Sequence, residues 1–153
     1  VAHQILSDSS IAYQIQVAQA DEEEIFIRGG VFKKVVPKVY NYSCCISGMR
    51  IISDRDVQMV DACHIIPFSE SHDDTISNGI SLCPNLHRAF DRHLISIDEH
   101  YRVHVAAGFS EGHSEYSIKA YKGIAIALPS EGHYGPSKEN LNRHYQTVRA
   151  KNI

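Results

Sequence analysis

The sequence is short of the features that mark a membrane protein, a secreted disulfide scaffold or a stand-alone DNA-binding domain. No apolar run approaches the roughly 20 residues of a spanning helix, and no signal peptide opens the chain. Four cysteines (Cys44, Cys45, Cys63, Cys83), two of them adjacent, form neither a secreted disulfide pattern nor the paired C-x-x-C motifs of a zinc knuckle. They read as buried thiols of a protein kept in a reducing cytoplasm. A basic excess is missing as well. Fifteen Lys and Arg face 18 Asp and Glu, which leaves a formal charge of −3 and a pI near 6.4. A domain gripping DNA through its own field is ordinarily basic. Ten histidines soften this, because partial protonation makes the surface less acidic near neutral pH. The chain opens on Val1 instead of Met and is read as a processed chain or a piece of a longer protein, whose other part could hold specificity.

What is present suits one compact α+β domain over 1–153: the length is 153 residues, with 43% hydrophobic and 22% charged. Residues 8–20 predict a helix, with Asp8 or Ser9 as cap and Ile11, Ile15 and Ala18 at helical spacing. Asp21-Glu22-Glu23-Glu24 reads as a solvated connection. From Val31 the apolar pairs recur every four residues, a second helix that Pro37 should kink or end near Val36. With that, residues 1–42 form a helical N-terminal part. Arg28, Lys33, Lys34 and Lys38 lie beside the stripe as either a solvated face or a phosphate-contacting one. Residues 43–53 and 57–66 predict strands around the turn-prone Ser53–Asp56. Residues 67–79 read as a loop, Ile80-Ser81-Leu82 as a short strand, and Pro84 as the first turn of a helix reaching about His93. A hairpin over 95–105 and a helix from Ser137, with Leu141, Tyr145 and Val148 on one face, complete the segment 94–153. The string Ser-Glu-Gly-His occurs at 110–113 and 130–133, which is too little for a repeat architecture.

The stretch from Val60 to Arg92 carries the chemistry. Its core is a strand ending in His64, a polar loop, a return strand and a helix. His87 and Asp91 stand four residues apart and leave one helical face. An imidazole and a carboxylate so placed can hold one divalent cation with positions left open for water and phosphate oxygens. His64, ending the facing strand, could sit across the site as a base.

The order His64-Ile65-Ile66-Pro67, then Asn78-Gly79-Ile80-Ser81-Leu82-Cys83-Pro84-Asn85-Leu86-His87 through Phe90-Asp91, then Leu94-Ile95-Ser96, resembles the HNH endonucleases. Thirteen residues separate His64 from Asn78 and eight separate Asn78 from His87. More weakly, Pro136 to His144 is similar to a closing helix found in such proteins. The resemblance implies a strand–strand–helix metal core over about 57–93 and hydrolysis of DNA by a one-metal scheme. His64 would be the general base, imidazole being the side chain that titrates nearest neutral pH. Asn78 would tie the loop and orient His64, while His87 and Asp91 would ligate the metal. Relatives often place a further ligand just before the base. Here it is Cys63, either packed or a ligand that shifts preference from Mg²⁺ or Mn²⁺ toward Zn²⁺ or Ni²⁺. His93 stands where relatives commonly have Gly, so the helix exit could differ. Arg88 and Arg92 flank the ligand face as phosphate contacts or plain surface residues, and His72 is the remaining histidine of the active-site loop.

The context implied is the cleavage module of a bacterial restriction or defence protein, with DNA as partner, a separate recognition domain, and a homodimer if both strands are cut. Two rivals stand beside it. A catalytically silent docking module sits poorly with intact His64, His87 and Asp91. A secreted cytotoxic nuclease would be basic, which this chain is not.

Overall fold

The computed structural model describes residues 22–152, with side chains from residue 30 onward; the helix expected over 8–20 lies outside them. Helix α1 (Glu22–Val39) opens the described chain. The acidic residues Glu22–Glu24 are therefore helical, correcting their reading as a connection. The helix also runs through Pro37 and ends two residues beyond it, at Val39. Pro37 costs one backbone donor only, and it costs it in the final turn, where the helix is about to stop in any case. Termination is the work of Asn41 and Tyr42, both left-handed (φ 53° and 57°), with Tyr42 N–H donating back to Pro37 O at 2.8 Å.

Strand β1 (Asp61–His64) pairs antiparallel with β2 (Gly79–Leu82), and His64 stands opposite Gly79. Helix α2 (Phe68–Ser71) and a 3₁₀ turn (Ile76–Asn78) give the intervening loop its shape. Helix α3 (Pro84–Asp91) begins on Pro84 as expected and buries Leu86, Ala89 and Phe90. Its exit passes through His93 at φ 62°, the left-handed conformation that glycine adopts freely. The chain thus leaves as a glycine would take it, despite the imidazole. Strands β3 (Ile95–Ile97) and β4 (Val103–Val105) form the expected hairpin, and helix α4 (Lys138–Lys151) is capped by the Ser137 side chain. One core joins Phe32 and Val36 of α1 to Ile80 and Leu82 of β2, Leu86 and Phe90 of α3, Ile95 and Ile97 of β3, and Leu141 of α4.

The strand expected over 43–53 is absent, and that over 57–66 shrinks to four residues. Cys44, Cys45 and Ile46 are buried in succession instead of alternating. They sit in a turn closed by Gly48 (φ 76°), whose N–H donates to Cys44 O at 2.9 Å. The arm at 51–59 has only the isolated bridge Ile52–Gln58. Two extended segments without an apolar surface to lie on do not propagate a ladder.

Candidate active site

β1 delivers His64 to the mouth of the cleft, and three contacts set its ring. Phe32 of α1 stacks on it, centroids 4.0 Å apart and planes 8° off parallel. Asp74 Oδ1 lies 2.6 Å from Nε2. Phe68 of α2 approaches at 5.9 Å. The buried Asp74 carboxylate accepts the Nε2–H bond, which assigns the proton to Nε2 and leaves Nδ1 as the acceptor nitrogen. The Phe32 stack depends on Gly79. A Cβ there would lie 2.7 Å from Val36 Cγ2 and 2.8 Å from Phe32 Cε2, so only glycine lets α1 approach the sheet this closely.

Asn78 is fully buried, and its side-chain amide has all its hydrogen-bonding capacity taken. Oδ1 accepts from Ile66 N–H at 3.0 Å and from Asn140 Nδ2 at 3.1 Å. Nδ2 donates to Ile66 O at 3.0 Å and to Asp73 O at 2.9 Å. It therefore ties the segment after His64 to the segment before Asp74, bracketing both partners of the His64–Asp74 bond.

On the other side, α3 presents His87 and Asp91 as the four-residue spacing requires, with Nε2 to Oδ2 at 3.2 Å. Asp61 of β1 holds the second nitrogen, Nδ1, at 2.9 Å. A carboxylate on the far nitrogen is how ligand histidines are commonly oriented, and it leaves Nε2 for the metal. Hydrogen bonding to Asp91, and then to Asp61, outweighs burial and raises the His87 pKa to about 9. Cys63 is fully buried, and its Sγ lies 3.8 Å from Asp91 Oδ1. Burial, followed by the negative field of Asp91, pushes this thiol well above its ordinary pKa. The donor atoms of Cys63, His87 and Asp91 all fall within 4.8 Å of one another. One sulfur, one nitrogen and one oxygen converging in this way fit a single divalent cation, with coordination positions open toward the cleft.

His64, His87 and Asp91 line one cleft of about 260 Å³, together with Phe68, His93 and His144. Exposed Arg88 and Arg92 line a neighbouring depression of about 420 Å³ with Asp61, His87 and Asp91. Lys33, Lys34 and Lys38 are exposed on α1 and line neither depression. His72 sits edge-on to Phe68 at 5.4 Å, exposed and outside the cleft wall.

Residues 44–98 match a family model described as HNH endonuclease. Over these residues the chain is similar to the HNH endonucleases. Its strand–strand–helix core is the pair β1–β2 followed by α3. The solved structure of a modification-dependent TagI restriction endonuclease superposes with a TM-score of 0.58 at 21% identity, over 76% of this chain and 36% of that one. That likeness is one of fold, and this chain spans little more than a third of the other's length. No curated protein sequence matches the chain.

Sequence reasoning did not single out Asp74, Asp61 or Asn140, which hold His64, His87 and Asn78 in turn. The polar loop did contain Asp73 and Asp74, and a base histidine calls for an orienting carboxylate. Nothing linear distinguished one from the other: Asp73 instead accepts from Thr75 N–H at 2.9 Å. His144, passed over as one more histidine, is buried and lines the cleft.

Proposed function

We propose that this chain hydrolyses DNA phosphodiester bonds, with His64 as general base facing a metal held by His87 and Asp91. The observation that carries the reading is the single cleft shared by these three side chains, in which Asp74 fixes the His64 tautomer. His64 Nδ1 accepts a proton from the attacking water, and Asp74 stabilises the imidazolium that results. Asn78 acts at one remove, by holding the backbone on both sides of that pair. Arg88 and Arg92 neutralise phosphates beside the metal face. A divalent cation bound there supplies Lewis-acid stabilisation of the phosphoryl oxygens and of the departing 3′ oxygen. His87 and Asp91 alone suit Mg²⁺ or Mn²⁺, whereas recruitment of the Cys63 thiolate favours Zn²⁺ or Ni²⁺. The fold likeness to a restriction endonuclease supports a role as the cleavage module of a restriction or defence protein, 1–153 being one nuclease domain. Sequence reading and dimerisation would then belong to other parts of the assembly.

Plasmid nicking with Mg²⁺, Mn²⁺, Ni²⁺ and Zn²⁺, against a chelator control, tests the activity. His64→Ala should lose at least about 100-fold in kcat, the ordinary worth of a general base, while metal affinity stays within a few-fold. Asp74→Asn should lower kcat by about 10- to 100-fold at near-constant KM, the usual cost of an outer-shell partner. A His64→Ala protein that loses metal as His87→Ala does would mean that the two roles are wrongly assigned.

A further inference from the structure

We propose that His93 is a substrate-binding residue of the cleft, its imidazole donating a hydrogen bond to a phosphodiester oxygen of the bound strand. The proposal rests on the nuclease reading above and concerns a residue which that reading leaves unused.

Four observations converge on it. His93 lines the same cleft as His64, His87 and Asp91. Its backbone is left-handed at φ 62°, in a position that closes α3 and that glycine would occupy without a Cβ clash. Among the described residues five other non-glycine residues share a positive φ, and His93 is the one of the six that lines this cleft. Among the described residues its ring nitrogens have no hydrogen-bond partner, although the residue is half-buried and lines the cleft. Lastly, the ring is positioned from behind. His144 meets it edge-on, centroids 5.4 Å apart. His144 is itself locked by a bond of 2.7 Å to Ser96 and by a parallel stack on Phe90 at 3.8 Å. A side chain supported by a rigid layer of this kind is what precise contact to a ligand requires.

The charged groups near the ring are mixed in sign. Lys151 lies within electrostatic range of it, and Asp91 and Glu70 oppose. A cation at His87 and Asp91 would cancel the nearer of those two carboxylates. The α3 exit would then present His93 from one side of the bound phosphate and Arg88 and Arg92 from the other. A neutral imidazole suffices for this contact, because it retains one N–H in either tautomer.

The test compares wild type, His93→Gly, His93→Asn and His64→Ala. Each is measured for thermal midpoint, for affinity to a fluorescent duplex oligonucleotide in Ca²⁺, and for nicking kinetics in the best activating metal. His93→Gly should hold or raise the midpoint, because the backbone strain is relieved. It should also weaken duplex affinity and raise KM by about 10- to 100-fold, the scale of one hydrogen bond to a charged group. His93→Asn tolerates the left-handed backbone and keeps an N–H donor, so it should recover most of that loss. A His93→Gly protein with wild-type affinity and KM overturns the proposal, and so does a loss that His93→Asn fails to recover. The nuclease reading fails separately, by a wild type that does not nick or a His64→Ala that does. A wild type that binds without nicking still decides His93 through the affinity ratio, and one that neither binds nor nicks overturns both.

Discussion

His144 shows how a residue with no direct chemistry can set the working range of the protein. Burial, followed by the positive field of His93, lowers its pKa from 6.5 to about 4. Between those values the unfolded chain binds a proton that the folded chain refuses, so stability is complete above about pH 6.5 and falls as the pH drops toward 4. At about 1.4 kcal/mol per unit the loss approaches 3 kcal/mol. Urea midpoints from pH 7 to pH 4 should show this acid limb, and His144→Gln should flatten it while lowering stability throughout. Parallel curves for the two proteins would mean that other groups govern the limb. His144 could not be singled out among ten histidines by sequence, because its depressed pKa comes from burial within the fold and from His93, 51 positions upstream.

At the scale of elements, the contact between α1 and β2 connects packing to His64, the proposed base. Gly79 sits opposite His64 in the β1–β2 ladder and leaves room for Phe32, which in turn stacks on the His64 ring. The atoms that a Cβ would strike belong to Val36 and Phe32, both at most 1% exposed, so they have little space into which to retreat. Gly79→Ala should therefore cost about 1 to 3 kcal/mol of stability, as overpacking does, and slow nicking by shifting Phe32 off the imidazole. An unchanged urea midpoint would sink this account. The Asn-Gly pair alone is an ordinary turn signal, yet here Gly79 is the first residue of a buried strand. Its requirement arises from a helix more than 40 positions away, and no local pattern encodes that approach.

For the whole molecule the decisive quantity is charge. A net −3, with Arg88 and Arg92 exposed beside His87 and Asp91 and Lys33, Lys34 and Lys38 exposed on α1, allows few phosphate contacts. Each neutralised phosphate adds about 0.9 to the slope of log K against log salt, so binding to random duplex should show a slope of magnitude below about 5. The exposed arginines line a depression with His87 and Asp91, and as the proposed phosphate contacts they would position DNA without specifying its sequence. Cleavage of unmodified plasmid should accordingly yield a smear. Discrete bands at one short recurring sequence would place the reading function inside these 153 residues.

The order and spacing of His64, Asn78, His87 and Asp91, the hairpin, and the helices at Pro84 and Ser137 were determined by the sequence alone. Each rests on local rules: a four-residue helical repeat, a capping serine, a proline in a first turn, strict alternation across a turn. Pro37 and the 43–53 segment show where local rules fail. The helix passed one missing donor because its far end was already closing, and a run of apolar residues became a buried turn that bonds to β2 through Cys45 N–H and Ser81 O and to Ala127 through Cys45 O. Only the tertiary structure decided which carboxylate serves which histidine. Asp74 and Asp73 are adjacent in sequence, but the fold points one at His64 Nε2 and the other at Thr75. Asp61 reaches His87 across 26 positions. Hydrogen bonds act over about 3 Å, so a site assembled from separate elements becomes specific only once packing has brought those elements together.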